Sequence, residues 1–383
     1  MTLRRILLMR HLLLCSCWLV GPFFEKSDPK DRGVTRNELR SLLEKARDKY
    51  DVPGLAAGIS CGDKRHMAVV GLRKHGSDVS VTMDDHWHLG SNTKPITALL
   101  IALLIDLGLL DWDTPLEQIF PEHAGQWGSD LKKLTPAHLL THTSGLPPTG
   151  PLLAFLLASS KQSPAQDREK LVTGLGKVKL TANLGEKYEY SNLGYVLLGA
   201  IIDRRGKSSW EEQLEKKILQ PLGIKHWGLG APAMKEAGMQ PWPHKADGKP
   251  VAADGIMDNP PVLNSAGRIR MSVADYHRFL TETLKLARGE KGLLKPATAE
   301  KLFKSPFPAS PHSLSGWLAL RKKTGPDRLV LTHDGSNGFN YCVASVVPDE
   351  NLALCVFTNQ GGPGGPGAKV CRQIQIELRA PKK

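Results

Sequence analysis

The sequence predicts an α/β fold of the α+β kind. An antiparallel sheet flanked by helices is completed by both termini, with an inserted all-helical lobe. Two observations support this: strand-like apolar runs near both ends of the chain, and long apolar helices in its middle. We expect a signal peptide over 1–24 and one domain over 35–383. Its α/β lobe would comprise about 35–90 and 264–383, and its helical lobe about 91–263.

The composition is that of a globular protein. The 383 residues are 41% hydrophobic and 23% charged, enough to bury a large core. The formal net charge is +13, but lysine and arginine are scattered and form no basic stripe interleaved with aromatic residues. We therefore expect a solvated basic surface and no nucleic-acid partner.

The first 24 residues have the pattern of an export signal. Three arginines precede a short apolar run that ends at Val20. This predicts a periplasmic or extracellular protein. The stretch Leu14–Cys17 also resembles a bacterial lipoprotein processing site, so a second interpretation anchors the protein to a membrane through a lipidated Cys17.

The first elements of the domain are a helix and a hairpin. Apolar periodicity predicts a helix over Asn37–Asp51, followed by strands over Leu55–Cys61 and His66–Leu72. Ser60 lies in a Gly-x-Ser-x-Gly string, which would suit an α/β-hydrolase nucleophile. That motif requires a strand that turns directly into a helix, and here a second strand follows, so we reject Ser60 as the nucleophile.

The middle of the chain predicts helices and loops. Ile96–Leu110 is apolar enough for a helix buried nearly all round. His138 and His142 are one helical turn apart, but no third ligand accompanies them, so capping and packing roles are favoured over a metal site. Residues 150–186 predict an irregular surface excursion that borders the cleft, and 230–263 a long connection back to the first lobe.

The remaining elements complete the sheet and its helices. The predicted helices are Leu193–Asp203, Ser272–Ala287 and Ala368–Leu378, and the predicted strands are Leu329–Thr332, Tyr341–Val347 and Leu352–Thr358. Cys342 and Cys355 would share one face of the sheet, either opposite each other or diagonal. A disulfide between them would fit, but buried thiols are favoured.

Ser91 and Lys94 form a chemically suggestive pair. At a spacing of three on a helix, their Cβ atoms lie about 5–6 Å apart on one face. A serine hydroxyl is a weak nucleophile and needs a base. A lysine held partly out of water can lose its charge and act as that base.

Two further segments extend this pair into an ordered set. Tyr190–Asn192 and His333–Gly335 follow Ser91 and Lys94 in the chain. In this order the motifs resemble those of the serine β-lactamase and penicillin-binding-protein superfamily, with class C β-lactamases, DD-peptidases and esterases most similar. The resemblance covers roughly residues 35–380 and implies a β-lactamase/transpeptidase-like fold.

The resemblance implies a serine hydrolase that forms an acyl-enzyme at Ser91 without metal or cofactor. Lys94 would share or remove the serine proton, and Tyr190 would protonate the leaving group and activate the deacylating water. A phenol titrates near pH 10, so this role requires flanking cations such as Lys94 or His333.

The implied substrate-binding residues are Asn192, His333, Gly335 and Ser336. Asn192 would orient the lysine and hold a substrate amide or carbonyl. The backbone N–H groups of Ser91 and Ser336 would form the oxyanion hole. His333 would stand where the family has lysine or histidine.

Asp334 departs from the family pattern, which has a small or hydroxyl residue at this position. A carboxylate here would repel the carboxylate of a β-lactam or D-Ala-D-Ala peptide unless it is turned away or paired. We therefore rank the acyl substrates as an ester, a peptidoglycan stem peptide and a β-lactam, in that order. The alternative function is a non-catalytic domain of the same fold that binds or senses acyl ligands.

Overall fold

The computed structural model describes residues 34–148, 162–232, 238–321, 328–362 and 364–380. The signal peptide and Cys17 lie outside these residues, so export and lipidation stay predictions. Within the described ranges, no helix has the length and apolar character needed to cross a membrane.

The described strands pair into two sheets. They are β1 (Gly54–Cys61), β2 (Lys64–Gly71), β3 (Trp87–His88), β4 (Trp227–Leu229), β5 (Ile269–Met271), β6 (Leu318–Arg321), β7 (Leu329–Ser336), β8 (Tyr341–Val347) and β9 (Leu352–Thr358).

Helices of very different length surround these sheets. They are α1 (Arg36–Tyr50), α2 (Thr93–Asp106), α3 (Leu116–Ile119), α4 (Ser129–Lys133), α5 (Pro136–Leu140), α6 (Pro164–Gly174), α7 (Asn192–Gly206), α8 (Trp210–Leu214), α9 (Asn264–Gly267), α10 (Val273–Ala287), α11 (Pro296–Leu302) and α12 (Pro366–Arg379).

The larger sheet confirms the predicted fold class. Its six strands have the order β2-β1-β9-β8-β7-β6, and every neighbouring pair is antiparallel. The N-terminal hairpin joins the C-terminal strands through the β1–β9 pair, so both ends of the chain complete the sheet. Ser60 lies inside β1 and is followed by a turn and β2, as predicted.

Helices cover both faces of this sheet because alternate side chains of each strand point to opposite sides. On one face Leu43 of α1 and Ile374 of α12 share a core with Ala57 of β1. On the other face Ala56 belongs to the core that contains α2, α7 and α10. On this face, α10 packs directly against β1 and β9.

Helix α2 is buried nearly all round, as predicted. It begins at Thr93 and ends at Asp106, four residues before the predicted end at Leu110. The chain turns away because Gly108 takes a left-handed conformation with φ of +70°. The capped helix α10 also follows its prediction, since Ser272 Oγ accepts a hydrogen bond from Asp275 N at 3.1 Å.

The prediction of irregular structure over 150–186 is wrong over 164–177, which is helical, and is confirmed over 178–186, which contains no helix or strand. Helix α6 occupies Pro164–Gly174, while 150–161 lies outside the described residues. A capping box starts α6, in which Ser163 and Gln166 each accept from the other's backbone N–H. That Ser-Pro-Ala-Gln pattern was a readable signal for a helix start.

Cys342 and Cys355 lie diagonally across the β8–β9 pair. Cys342 lies opposite Phe357, and Cys355 lies opposite Ala344. Both are buried free thiols, which agrees with the favoured prediction.

Arg168 of α6 is a buried charge that connects helices. Its guanidinium is fully buried and contacts Asp203 at 2.7 Å and Glu211 at 2.8 Å. These carboxylates belong to α7 and α8. The three charges thus link α6 to α7, the helix that begins at Asn192.

Replacing Arg168 tests how much it stabilises the fold. We expect Arg168→Met to lower the free energy of unfolding by about 3–5 kcal/mol, because two carboxylates lose their buried partner. The control Arg40→Met removes an exposed pair with Glu44 and should change stability by about 0.3–0.5 kcal/mol. Urea unfolding measures both. Equal losses would contradict the structural role of Arg168.

Candidate active site

Ser91 lies in a tight turn that leads into α2. The turn spans Gly90–Asn92 in a 3-10 conformation, and Gly90 has φ of +53°. A side chain at Gly90 would collide with the backbone N of Ser336, at the end of β7. Only glycine permits both this backbone conformation and this approach.

Gly335 makes the same approach from the strand side. A side chain at Gly335 would collide with the carbonyl oxygen of Leu89. The two glycines therefore bring the backbone of the Ser91 turn against the end of β7. This arrangement puts Ser91 and Ser336 next to one another, where the oxyanion hole was predicted.

The amine of Lys94 is held beside the Ser91 hydroxyl. Lys94 is fully buried, and its Nζ lies 3.1 Å from Ser91 Oγ, 2.8 Å from Asn192 Oδ1 and 2.7 Å from the carbonyl oxygen of Ala266. The structure thus brings the first two predicted motifs into contact. Sequence reasoning missed the Ala266 carbonyl, because a backbone ligand leaves no mark in the side-chain pattern.

These contacts fit a lysine that accepts a proton. The Ala266 carbonyl can only accept a hydrogen bond, and Asn192 presents its amide oxygen. A neutral amine would satisfy both with its two N–H groups. Its lone pair would then face the Ser91 hydroxyl, which can donate its proton.

Tyr190 stands on the other side of the amine. Lys94 Nζ lies 4.8 Å from the centroid of the Tyr190 ring and 5.3 Å from that of Tyr195. Tyr190 also stacks on His142, with ring centroids 4.3 Å apart. The phenol is therefore held close to the lysine by packing on both sides.

His142 and His138 take the packing and capping roles predicted for them. His142 Nδ1 accepts from the backbone N of Ser191 at 3.1 Å, which fixes the loop before α7. The His138 ring caps α5 by bonding Thr135 and stacks on Phe307 at 4.5 Å between centroids.

His333 is a neutral acceptor. Its Nδ1 lies 2.6 Å from the carbonyl oxygen of Asp334, so Nδ1 carries the proton and Nε2 the lone pair. Nε2 is buried and finds no hydrogen-bond partner among the described residues. Burial, with a smaller effect of Lys94, lowers the pKa of His333 to about 4. The expectation that His333 could be a cation beside Tyr190 is therefore wrong at neutral pH.

Asp334 does not face the site. Side chains alternate along β7, and Asp334 points to the opposite side from His333. There it pairs with Arg372 at 2.6 Å and accepts from the Tyr341 hydroxyl at 2.5 Å. The argument that Asp334 repels a substrate carboxylate fails, because its charge is compensated on the far side of the sheet.

Two functional neighbours were missed by sequence reasoning. His312 is buried, lies 5.0 Å from His142 and 5.8 Å from His333 between ring centroids, and stacks on Tyr188. Its pKa is lowered well below the usual range, mainly by burial and then by His333 and Lys94. The wall of the site is thus aromatic and neutral.

Asn92 is the second missed residue. It is fully buried, and its amide contacts the Tyr276 hydroxyl at 3.0 Å. In the orientation that satisfies both ends of the amide, Asn92 also donates to His333 O and accepts from Gly335 N. This side chain therefore fixes the Ser91 turn to β7.

A metal ion has one candidate location in the described part of the chain. Glu122, His123 and Glu169 are close enough to share an ion, but both glutamates are exposed. The Arg204 guanidinium already contacts Glu122. None of these residues belongs to the group around Lys94.

Comparisons with known proteins agree with this arrangement. The family model described as Beta-lactamase matches residues 39–377. Penicillin-binding protein 4 of Amycolatopsis lactamdurans is 25% identical over 82% of this chain and 83% of its own length. The D-alanyl-D-alanine-carboxypeptidase/endopeptidase AmpH of Escherichia coli (strain K12) is 24% identical over 80% of this chain and 79% of its own length.

The comparison with solved structures supports the same fold. A class C beta-lactamase superposes with a TM-score of 0.72 and 20% identity, covering 91% of this chain and 99% of that one. A Beta-Lactamase/D-Alanine Carboxypeptidase from Pseudomonas syringae gives a TM-score of 0.72 at 17% identity, covering 89% of this chain and 96% of its own. The resemblance inferred from the motifs is confirmed.

The buried histidines predict a specific pH dependence of stability. Each of His142, His312 and His333 has a pKa below the ordinary value of 6.5, mainly because of burial. The unfolded chain therefore binds more protons as the pH falls below about 6.5, and stability is lost toward pH 4. Each group contributes up to about 1.4 kcal/mol per pH unit in this window.

Urea unfolding between pH 7 and pH 4.5 measures this slope. The variant His333→Gln should have a shallower slope than the wild type, whereas His75→Gln, at an exposed position, should leave it unchanged. An identical slope in His333→Gln and the wild type would show that His333 does not titrate as its burial requires.

Proposed function

Since the chain belongs to the Beta-lactamase family, a family of hydrolases related to the penicillin-binding proteins, we propose that it is a serine hydrolase that forms an acyl-enzyme at Ser91. The observation that carries the proposal is the 3.1 Å contact between Lys94 Nζ and Ser91 Oγ. A buried base within hydrogen-bond distance is what a serine nucleophile needs.

Acylation begins when Lys94 takes the Ser91 proton. The serine oxygen attacks the carbonyl carbon, and the new C–O bond gives a tetrahedral intermediate with a negative oxygen. The intermediate then collapses, the bond to the leaving group breaks, and the leaving group takes up a proton. Asn192 and the Ala266 carbonyl hold the lysine in place throughout.

The negative oxygen would be bound by the backbone N–H groups of Ser91 and Ser336. Each such donor is worth roughly 3–4 kcal/mol to the transition state in other enzymes. The proposal is supported by Gly90 and Gly335, whose missing side chains let these two segments meet. The position of Ser91 at the start of α2 adds the favourable end of the helix dipole.

Tyr190 is the proposed acid and base for the leaving group and for the deacylating water. Its ring lies 4.8 Å from Lys94 Nζ, which puts the phenol beside the amine. With His333 neutral, this role depends on the positive charge that Lys94 gains when it takes the Ser91 proton. Water activated by the phenol would attack the acyl carbon and release Ser91.

We propose a neutral ester as the preferred substrate, ahead of a peptidoglycan stem peptide and a β-lactam. The edge that would receive a substrate carboxylate holds the neutral His333 and the hydroxyl of Ser336, which donates to Asn340 O at 2.7 Å. The paired Asp334 no longer argues against the other two classes. The names of AmpH and of the β-lactamases keep peptides and β-lactams as alternatives for this chain.

We also propose that the protein is exported. The basic start and apolar run before Val20 support this, and a lipidated Cys17 would anchor it to a membrane. An exported hydrolase would meet esters or cell-wall peptides outside the cytoplasm.

Labelling identifies the nucleophile. After exposure to a fluorophosphonate, and separately to a penicillin, mass spectrometry should find the added mass on the peptide that contains Ser91. Ser91→Ala should lose the label and at least about a thousandfold in p-nitrophenyl ester turnover, because it removes the hydroxyl that lies beside Lys94 Nζ. Ser60→Ala is the matched control and should retain both.

Two other outcomes would overturn this proposal. Loss of activity in Ser60→Ala but not in Ser91→Ala would assign the nucleophile to β1. A stoichiometric adduct that never turns over with any ester would identify a sensing domain.

Substrate preference can be tested at β7. Asp334→Asn should leave the ratio of kcat/KM for a D-Ala-D-Ala peptide to that for an ester within about twofold, because Asp334 faces Arg372. His333→Lys should raise this ratio by about tenfold or more, because it brings a cation to the edge that meets a substrate carboxylate. A large change in Asp334→Asn alone would show that its charge reaches the substrate.

A further inference from the structure

Asp258 is a buried carboxylate in the long connection before α9. Its side chain is only 5% exposed, although the sequence predicts only a long connection over 230–263. Burial alone would raise the pKa of Asp258, but its contacts with His88, Arg268 and Asn337 outweigh burial and keep the pKa below its usual range. A charge is thus held in the protein interior beside the proposed active site.

The first contact of Asp258 leads to the Ser91 turn through His88. Asp258 Oδ2 lies 3.1 Å from His88 Nε2, and His88 Nδ1 accepts from the backbone N of Gly90 at 3.0 Å. Since Gly90 donates to Nδ1, the ring carries its proton on Nε2 and donates to the carboxylate. The carboxylate therefore fixes the tautomer and the orientation of the ring that holds Gly90, the residue before Ser91.

The second contact leads to the end of β7. Asp258 Oδ1 accepts from Asn337 Nδ2 at 3.0 Å. Asn337 directly follows Ser336, and its Oδ1 accepts from the backbone N of Phe339 and Asn340. The same carboxylate thus holds the segment that presents the second oxyanion donor.

The third contact leads to the segment that binds the lysine. Arg268 Nε lies 3.3 Å from Asp258 Oδ2, and Arg268 NH1 donates to Asn264 at 2.6 Å. Helix α9 lies between these two residues and contains Ala266, whose carbonyl accepts from Lys94. One side chain is therefore bonded to three of the segments that surround the Ser91 oxygen.

We propose that Asp258 is a positioning residue that holds the Ser91 turn, the Ser336 donor and the Ala266 loop in their reactive arrangement. It touches neither the substrate nor Ser91 and acts through His88, Asn337 and Arg268. The proposal rests on the proposed function, because it concerns the reaction at Ser91. A carboxylate is required, since its two oxygens accept from four donors, the fourth being the backbone N of Asn259, whereas an asparagine offers one acceptor oxygen and an NH2 donor group.

The test compares Asp258→Asn with the wild type by the rate of fluorophosphonate labelling at Ser91 and by ester kinetics. We expect labelling and kcat to fall about 10-fold to 100-fold with KM nearly unchanged, because misplacement of an oxyanion donor by a fraction of an ångström slows the chemical step. Asp254→Asn, an exposed aspartate of the same connection, is the matched control and should match the wild type.

A second variant tests the contacts of His88 separately. His88→Phe keeps an aromatic ring but can neither donate to Asp258 nor accept from Gly90, so we expect the same loss as in Asp258→Asn. The double variant should be no slower than the slower single variant, because both changes break one chain of contacts. Hydrogen exchange at the Gly90 amide should be faster in both single variants.

The outcomes separate the two proposals. If the fluorophosphonate does not label Ser91 in the wild type, the proposed function is wrong. Hydrogen exchange at the Gly90 amide then still tests the contacts that run from Asp258 through His88 to Gly90. If the wild type is labelled but Asp258→Asn changes neither kcat nor hydrogen exchange at the Gly90 amide, only the positioning role is wrong. Additive effects in the double variant would also overturn it, because His88 and Asp258 would then act separately.

Discussion

The site depends on one buried amine. Lys94 has no exposed surface, and its Nζ joins Ser91, Asn192 and Ala266, which come from three distant parts of the chain. Burial disfavours the charged form of a lysine, whereas polar contacts and nearby aromatic rings favour it. In the proposed mechanism this amine exchanges a proton with the serine.

The ionisable side chains around Lys94 add little charge of their own to the site. Lys94 is among the causes that lower the pKa values of His142, His312 and His333, which therefore stay neutral. Neutral imidazoles add no competing positive charge beside the amine. The negative charge of Asp334 is likewise kept on the other side of the sheet by Arg372. The electrostatics of the site are thus set mainly by one lysine and by backbone dipoles.

Local patterns predicted the elements, and tertiary contacts decided the rest. Helix geometry alone predicted that Ser91 and Lys94 share a face, and apolar alternation predicted the strands of the main sheet except the short, half-exposed β6. The pairing of Asp334 could not be predicted, because Arg372 lies 38 positions later in sequence on another element. The contacts of Asp258 were equally hidden, since they join loops whose approach depends on the whole fold.

The central claim is that Ser91 Oγ and the backbone N–H groups of Ser91 and Ser336 act on one acyl carbon. A crystal structure of the protein after reaction with a fluorophosphonate tests this most directly. The account predicts a covalent bond between phosphorus and Ser91 Oγ, with the phosphoryl oxygen about 2.7–3.1 Å from both backbone nitrogens. A bond to another residue, or a phosphoryl oxygen that points away from these two nitrogens, would contradict it.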